Sequence, residues 1–269
     1  MPKAKVKNIN IYFEIHGEGY PFLLIRGLSS SLESWPPYSI AQFSKIFKTI
    51  VFDNRGAGKS DTPDGEYSAK MMADDTIGLI DNLDIKNLYL LGFSMGGCIA
   101  QELVLNYPKK VKKLVLTSSW CGPSHGIPPI PGKNPFTDML TLLKEKNYEK
   151  VARNLTEALF PENYKKNNPN IIKKVIDNYM NNPPSPKGFE GQSAYVESFD
   201  TYERLSEITI PTLILHGTED VILPVENAKI LAENIPSAEL ILFENTGHGM
   251  NIQENKRWTQ KVIEFLKRK

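Results

Sequence analysis

The stretch Asn87-Leu88-Tyr89-Leu90-Leu91-Gly92-Phe93-Ser94-Met95-Gly96-Gly97-Cys98 constrains the fold of this chain more than any other. A short apolar run leads into a Gly-x-Ser-x-Gly turn, and an amphipathic stretch with Ile99, Ala100, Leu103 and Val104 follows. That order is strand, sharp turn, helix. A serine at such a corner sits where backbone strain can lift its hydroxyl out of the sheet. Glycines two residues before and after it leave room for the turn and for close strand–helix packing. Taken alone, the pattern also fits an ordinary strand-to-helix turn with a serine N-cap. Its meaning therefore depends on the rest of the chain.

Strand–helix alternation surrounds this corner. Residues 3–16 alternate as a strand pair, with Val6, Ile9, Ile11, Phe13 and Ile15 at the apolar positions. Phe22–Ile25 and Thr49–Phe52 are continuous apolar runs, as in strands covered on both faces. Helices are predicted over about 31–45 and 68–83, the latter with Met71, Met72, Ile77, Leu79, Ile80 and Leu83 on its apolar side. The helix after Ser94 runs to Tyr107 and stops before Pro108. Val111–Leu116 is another strand. A hairpin followed by such alternation predicts an α/β fold, a mostly parallel twisted sheet flanked by helices. Ligands in such sheets bind beyond the carboxyl ends of the strands, and the loops 26–31, 53–60 and 92–97 lie at that edge.

The alternation then stops. Pro123, Pro128, Pro129, Pro131 and Pro135 mark a loop, and helical patterns follow from Phe136 to about Phe160 and over 170–180. No buried-strand run occurs between 122 and 200. The expectation is an α/β core of residues 1–121 and 201–269, with 122–200 inserted as a helical cap on the sheet edge. Strands resume at Thr212–Leu215 and Leu240–Phe243, with helices at 225–234 and 255–268.

Composition narrows the partners. A formal net charge of +1 over 269 residues offers no electrostatic case for nucleic acid or an acidic membrane surface. Two cysteines, Cys98 and Cys121, make no disulfide framework, which suits a reducing compartment. The charged start Met1–Lys7 has no apolar segment after it, and no run approaches the ~18 residues of a membrane span. A cytoplasmic location is the expectation, with no membrane partner. Oligomeric state, monomer or homodimer, is left open.

Ser94, Asp220 and His248 occur in that chain order, each just past the end of a predicted strand. A serine hydroxyl is a poor nucleophile until a base takes its proton, which neutral imidazole does near pH 7. A carboxylate on the far ring nitrogen fixes the tautomer and stabilises the imidazolium. Backbone N–H groups must also meet the developing oxyanion, one from Met95 and one from Leu28 in the loop after the third strand. Asp220 alone could be a turn residue before Pro224, and His248 alone a loop histidine between glycines. Three such positions on three strand ends in this order make the joint coincidence remote. His16 in the hairpin, His125 in the insertion and His216, packed at a strand end, are weaker candidates.

With these residues in view, the chain resembles the α/β-hydrolase fold superfamily across essentially its whole length. Asp53-Asn54-Arg55-Gly56-Ala57-Gly58-Lys59-Ser60 is similar to the Asp-x-Arg-Gly-x-Gly-x-Ser signature of enol-lactonases, small esterases, carbon–carbon bond hydrolases and cofactor-free haloperoxidases. His216–Pro224 resembles their acid loop and Gly247-His248 their base loop. The closest likeness is to the 3-oxoadipate enol-lactonase and carboxylesterase group. The resemblance implies acyl-enzyme hydrolysis of a small-molecule ester or lactone, no cofactor, no metal, and a cap that shapes the pocket.

One departure stands out. The family usually has His-Gly after the third strand, and this chain has Arg26-Gly27. Arg26 either binds a substrate carboxylate or is a structural arginine paired beneath the loop, and the second is the expectation. Trp120, just past a strand end, is either a pocket wall or packing under the cap. Gly56-Ala57-Gly58-Lys59-Ser60 imitates the end of a phosphate-binding loop, but that motif needs a glycine where Asp53 stands. On this fold dehalogenases and epoxide hydrolases carry Asp at the elbow and dienelactone hydrolases carry Cys, whereas this chain has Ser94. A carboxylesterase is therefore expected, with a lactonase or carbon–carbon bond hydrolase as alternatives. From a different class, a ligand-binding receptor with vestigial hydrolysis shares the same framework.

Overall fold

The computed structural model describes residues 2–268. Its strands are β1 (Lys3–Val6), β2 (Ile9–His16), β3 (Tyr20–Ile25), β4 (Phe47–Phe52), β5 (Leu88–Phe93), β6 (Val111–Thr117), β7 (Thr212–Gly217) and β8 (Ala238–Phe243). They form one eight-stranded sheet in the order β1-β2-β4-β3-β5-β6-β7-β8. β1 and β2 pair antiparallel, β2 pairs antiparallel with β4, and every later pairing is parallel. The chain runs from β3 outward to β4, then crosses back over to β5 on the other side. That reversal opens a crevice at the carboxyl ends of β3 and β5, where Ile25 pairs with Gly92.

Strand alternation divides the core between the two faces. Leu23, Ile25, Leu90, Leu114 and Leu116 pack on one face with α2 (Ala69–Asn82) and α3 (Met95–Asn106). Phe22, Leu24, Leu91, Phe93 and Val115 face the other way, onto Phe43 of α1 (Pro37–Phe43) and Trp258 and Val262 near the C-terminus. Ser68 caps α2 by accepting the Met71 N–H at 3.0 Å.

Between β6 and β7 the described residues hold no strand. Six helices follow one another there, α4 (Met139–Lys144), α5 (Tyr148–Leu159), α6 (Glu162–Asn167), α7 (Pro169–Asn181), α8 (Pro186–Ser193) and α9 (Tyr195–Ser198). Met139, Leu143, Val151, Leu155 and Phe189 give this insertion a small apolar core of its own. After β7 come α10 (Glu226–Asn234), α11 (Met250–Gln253) and α12 (Asn255–Lys267).

Three local readings need correction. The helix expected over 31–45 is a 3-10 turn at Leu32–Ser34 followed by the short α1. Trp35 precedes two prolines and is extended at φ −71°, ψ 132°, because a residue before proline is pushed out of the helical region. The helix expected from 136 to 160 is two helices, broken at Lys146, which has φ +59°. Asn147 then caps α5 through the Lys150 N–H. Met71 lies not in the core but 37% exposed, with its sulfur facing Arg55 Nη1 at 2.8 Å.

Candidate active site

The serine corner is strained as its sequence suggested. Ser94 has φ +56° and ψ −123°, a region a residue with a Cβ adopts only when its surroundings enforce it. Its N–H donates to the Thr117 carbonyl at 2.9 Å, which ties the corner to β6. A Cβ on Gly92 would lie 2.3 Å from the Gly96 carbonyl oxygen, so the first turn of α3 can close only over a glycine. Ser94 is partly exposed, and its Oγ makes no hydrogen bond among the described residues.

Asp220 and His248 meet over two further strand ends. His248 Nδ1 donates to Asp220 Oδ2 at 2.7 Å, and both residues are buried. Asp220 Oδ1 accepts the N–H groups of Ile222 and Leu223 at 2.9 and 2.8 Å. Burial by itself would raise the Asp220 carboxyl. The His248 and His216 rings outweigh it and hold the group well below the usual carboxylate range. With Nδ1 donating, the neutral His248 ring carries its free lone pair on Nε2. The ring packs edge-on against Phe93, 5.4 Å between centroids, beside the serine corner. The Ser118 hydroxyl donates to the His248 carbonyl at 3.2 Å. His216 is fully buried, with Nε2 2.7 Å from the Leu223 carbonyl and 3.3 Å from Asp220 Oδ2.

The loop after β3 runs beside Ser94. A Cβ on Gly27 would come within 3.0 Å of the Ser94 Cβ. The N–H groups of Leu28 and Met95 find no acceptor among the described residues. For Met95 this follows from its place as the first residue of α3, where helical N–H groups have no partner.

The 53–60 signature acts as scaffold around this loop. Asp53 accepts the Leu32 N–H at 2.7 Å and the Lys59 N–H at 2.8 Å. Asn54 Nδ2 donates to the Arg26 carbonyl at 3.2 Å. Arg55 reaches Asp75 Oδ2 and Oδ1 at 2.5 and 2.7 Å. The Ser60 hydroxyl donates to the Asp53 carbonyl at 2.6 Å.

Arg26 does not have the ion partner the sequence reading expected. It is buried, with Cζ 4.7 Å from the Trp35 ring and 4.8 Å from the Phe93 ring. Its Nε and Nη1 lack hydrogen-bond partners, and no carboxylate lies within ion-pair reach among the described residues. Trp120 is also buried, with its ring packed where Gly126 passes and its carbonyl accepting Gln101 Nε2 at 2.9 Å. Cys98 and Cys121 are free and buried, and desolvation pushes their thiols up to about 12 and about 11. His16 lies beside Glu14 at the surface, and exposed His125 stacks on Tyr202. A cleft of about 930 Å³ opens between the insertion (Asp138, Glu157, Phe160) and the loop carrying Asp220. Among the described residues no group of three or more His, Cys, Asp or Glu side chains could hold a metal.

Sequence reasoning missed Ser118 and Gln192. Neither belongs to a motif. Gln192 sits in a Gly- and Ser-rich stretch that did not read as a helix, and it proves to be fully buried against two core loops.

Fold and site together define the class. The family model for the alpha/beta hydrolase fold matches residues 20–255, and the chain belongs to that family. The chain is 27% identical to the putative carbamate hydrolase RutD of Caulobacter sp. (strain K31), over 95% of both chains. It superposes on the esterase EaEST from Exiguobacterium antarcticum with a TM-score of 0.87 at 28% identity, covering 99% of each chain. The enol-lactonase from Burkholderia xenovorans LB400 also gives a TM-score of 0.87, covering 99% of this chain and 100% of that one. Its 22% identity speaks for the fold alone. These relatives support a hydrolytic activity. No helix among the described residues is long and apolar enough to cross a membrane.

Proposed function

We propose that the protein is a serine hydrolase that cleaves a carboxylic ester through an acyl-enzyme intermediate. The observation that carries this reading is the 2.7 Å bond from His248 Nδ1 to the buried Asp220 carboxylate, beside a serine held at φ +56°. His248 Nε2 takes the Ser94 proton as Oγ attacks the substrate carbonyl. The Asp220 carboxylate stabilises the imidazolium that results. The Leu28 and Met95 N–H groups hold the oxyanion, and their lack of competing acceptors suits them to that task. His248 then protonates the leaving alcohol, and water, activated by the same ring, releases the acid. Ser94 Oγ and His248 are not hydrogen-bonded in this structure, and in this reading their contact tightens as substrate binds.

The insertion, residues 122–200, acts in this reading as the cap that shapes the pocket. Arg26 is the candidate for a substrate carboxylate, since nothing within the described residues neutralises it. Trp120 supports the pocket from beneath in this reading, its ring packed against Gly126. A carbamate hydrolase is the second reading, favoured by the likeness to RutD over 95% of the chain. A carbamate carbonyl would be attacked by the same serine. Lactone opening and carbon–carbon bond cleavage use the same triad, and a slow-turnover receptor would retain it.

The test is steady-state hydrolysis of a p-nitrophenyl ester chain-length series beside an enol-lactone and a p-nitrophenyl carbamate, with Ser94→Ala as control. Many turnovers on short neutral esters, lost in Ser94→Ala, are expected. Fast lactone or carbamate turnover with slow ester turnover would move the substrate assignment. Roughly one turnover per chain would point to a receptor. Turnover that survives Ser94→Ala would remove the serine mechanism altogether.

A further inference from the structure

One side chain of the insertion reaches across to the loop that carries Leu28. Gln192, in α8, has 0% exposure. Its Oε1 accepts the Ser29 N–H at 2.8 Å, and its Nε2 donates to the Arg55 carbonyl at 2.7 Å. One amide thus bridges the backbones after β3 and β4, and only one orientation of its O and N satisfies both.

The turn it touches is one that serine does not favour. The Ser30 N–H donates to the Gly27 carbonyl at 3.2 Å and closes a four-residue turn. Ser29, third in that turn, has φ +58°, while Leu28 is not among the positive-φ residues. This is the type II pattern, which normally places glycine third. In the commoner type I turn the central peptide is flipped, so the Ser29 N–H points the opposite way. Gln192 Oε1 can accept that N–H only in the type II form. It therefore selects a turn that Ser29 by itself disfavours.

The base from which Gln192 reaches is packed against the core. The Tyr67 N–H donates to the Gly191 carbonyl at 2.8 Å. A Cβ on Gly188 would lie 1.9 Å from the Gly56 carbonyl oxygen, so α8 lies directly on the 53–60 loop.

We infer that Gln192 is a positioning residue for oxyanion stabilisation. It pins the Leu28–Ser29 peptide in the type II form and so fixes where the turn carries the Leu28 N–H, which belongs to the preceding Gly27–Leu28 peptide. Seating of α8 is thereby coupled to the chemistry. The inference rests on the serine-hydrolase reading above.

The test compares Gln192→Met, which keeps length and removes both bonds, with Gln192→Glu, which keeps the acceptor for Ser29. For p-nitrophenyl acetate, Gln192→Met should lower kcat by about tenfold or more while KM stays within about threefold, since the lost interaction is made in the transition state. Gln192→Glu should recover part of that loss. Hydrogen exchange of segment 26–34, followed by mass spectrometry, should quicken in Gln192→Met while β6 stays protected. An unchanged kcat with a raised KM, or unchanged exchange at 26–34, would overturn the inference. If Gln192→Met loses protection in β6 and has not folded, Gln192→Glu against wild type carries both readings, with a partial kcat loss expected and none overturning. Ester turnover that survives Ser94→Ala would sink the serine reading instead, and the exchange measurement would still decide whether Gln192 holds the turn.

Discussion

Two arginines are buried at the same edge of the sheet, and they are held in opposite ways. Arg55, just past β4, meets Asp75 with Nε and Nη2 and lies 5.3 Å from the Tyr67 ring. Arg26, just past β3, lies between the Trp35 and Phe93 rings, with two of its nitrogens unpartnered. Desolvation pulls the Arg26 guanidinium down to about 10. Burial pushes the Asp75 carboxyl up, and Arg55 opposes it. The first arginine is a bolt: both charges are compensated, and the pair ties the 53–60 loop to α2. The second is a cation kept without a counter-charge one residue from Gly27. Aromatic faces offer only about 0.5–2 kcal/mol to a cation, which does not offset the several kcal/mol of burying it. What the contrast teaches is that burial alone does not decide whether a charge at this edge is bonded within the fold. Under the proposed function, the unpartnered one is the candidate for an anionic group of the substrate.

Removing the partners one at a time separates the roles of these charges. The largest effect is expected at Asp220, a third buried charge of this edge, whose two carboxylate oxygens are both hydrogen-bonded. Asp220→Asn should lower kcat by about 10⁴ through loss of the correct His248 tautomer, measured with any substrate that wild type turns over. A loss below about tenfold would mean that Asp220 serves the fold alone. Next comes Asp75→Asn, which strands Arg55. It should cost about 3–5 kcal/mol of stability, read as a lowered chemical-denaturation midpoint. Little change would mean that Arg55, like Arg26, tolerates isolation. The expected effect on stability is much smaller for Arg26→Met, within about 1 kcal/mol of wild type or stabilising, because an unpaired buried charge is removed. That variant should leave neutral esters within a few-fold and raise KM for carboxylated esters by about tenfold, as loss of a charged hydrogen bond would. Equal losses on both would make Arg26 structural.

The smallest effect is a pH dependence. The folded Asp220 carboxyl is held below its ordinary value, so the unfolded chain binds its proton more readily than the folded one. The stabilisation this contributes is complete above the unfolded value of about 3.9 and is lost as pH falls through the lowered folded value. The gap in Tm between wild type and Asp220→Asn should therefore be widest near pH 6 and narrow below about pH 4. A gap that widens on acidification would reverse the sign and show that the His rings do not hold the carboxylate.

How much of this was legible beforehand depends on the range of the interaction. Ser94, Asp220 and His248 each announce themselves through a strand end and a turn, signals carried by a few neighbouring residues. The missed break at Lys146 and the missed helix α8 lie where glycine, proline and short polar runs blur the helical period. Arg26 was legible as a departure but not as an unpaired one, since pairing depends on what the fold brings near. Gln192 carried no signal. Its partners, Ser29 and Arg55, are 163 and 137 residues away in the chain.

The α/β order, the strained serine corner and the three side chains placed past strand ends can all be read from local residue patterns. Apolar periodicity and turn chemistry act over short spans, so they can be read without the fold. The assembled fold brings His248, and neither His16 nor His125, to Asp220. It also decided that Arg55 is paired and Arg26 is not, and that a glutamine of the insertion holds the turn beside Ser94. Those outcomes depend on hydrogen bonds and desolvation between distant segments, which take their values only once the sheet and the insertion are assembled.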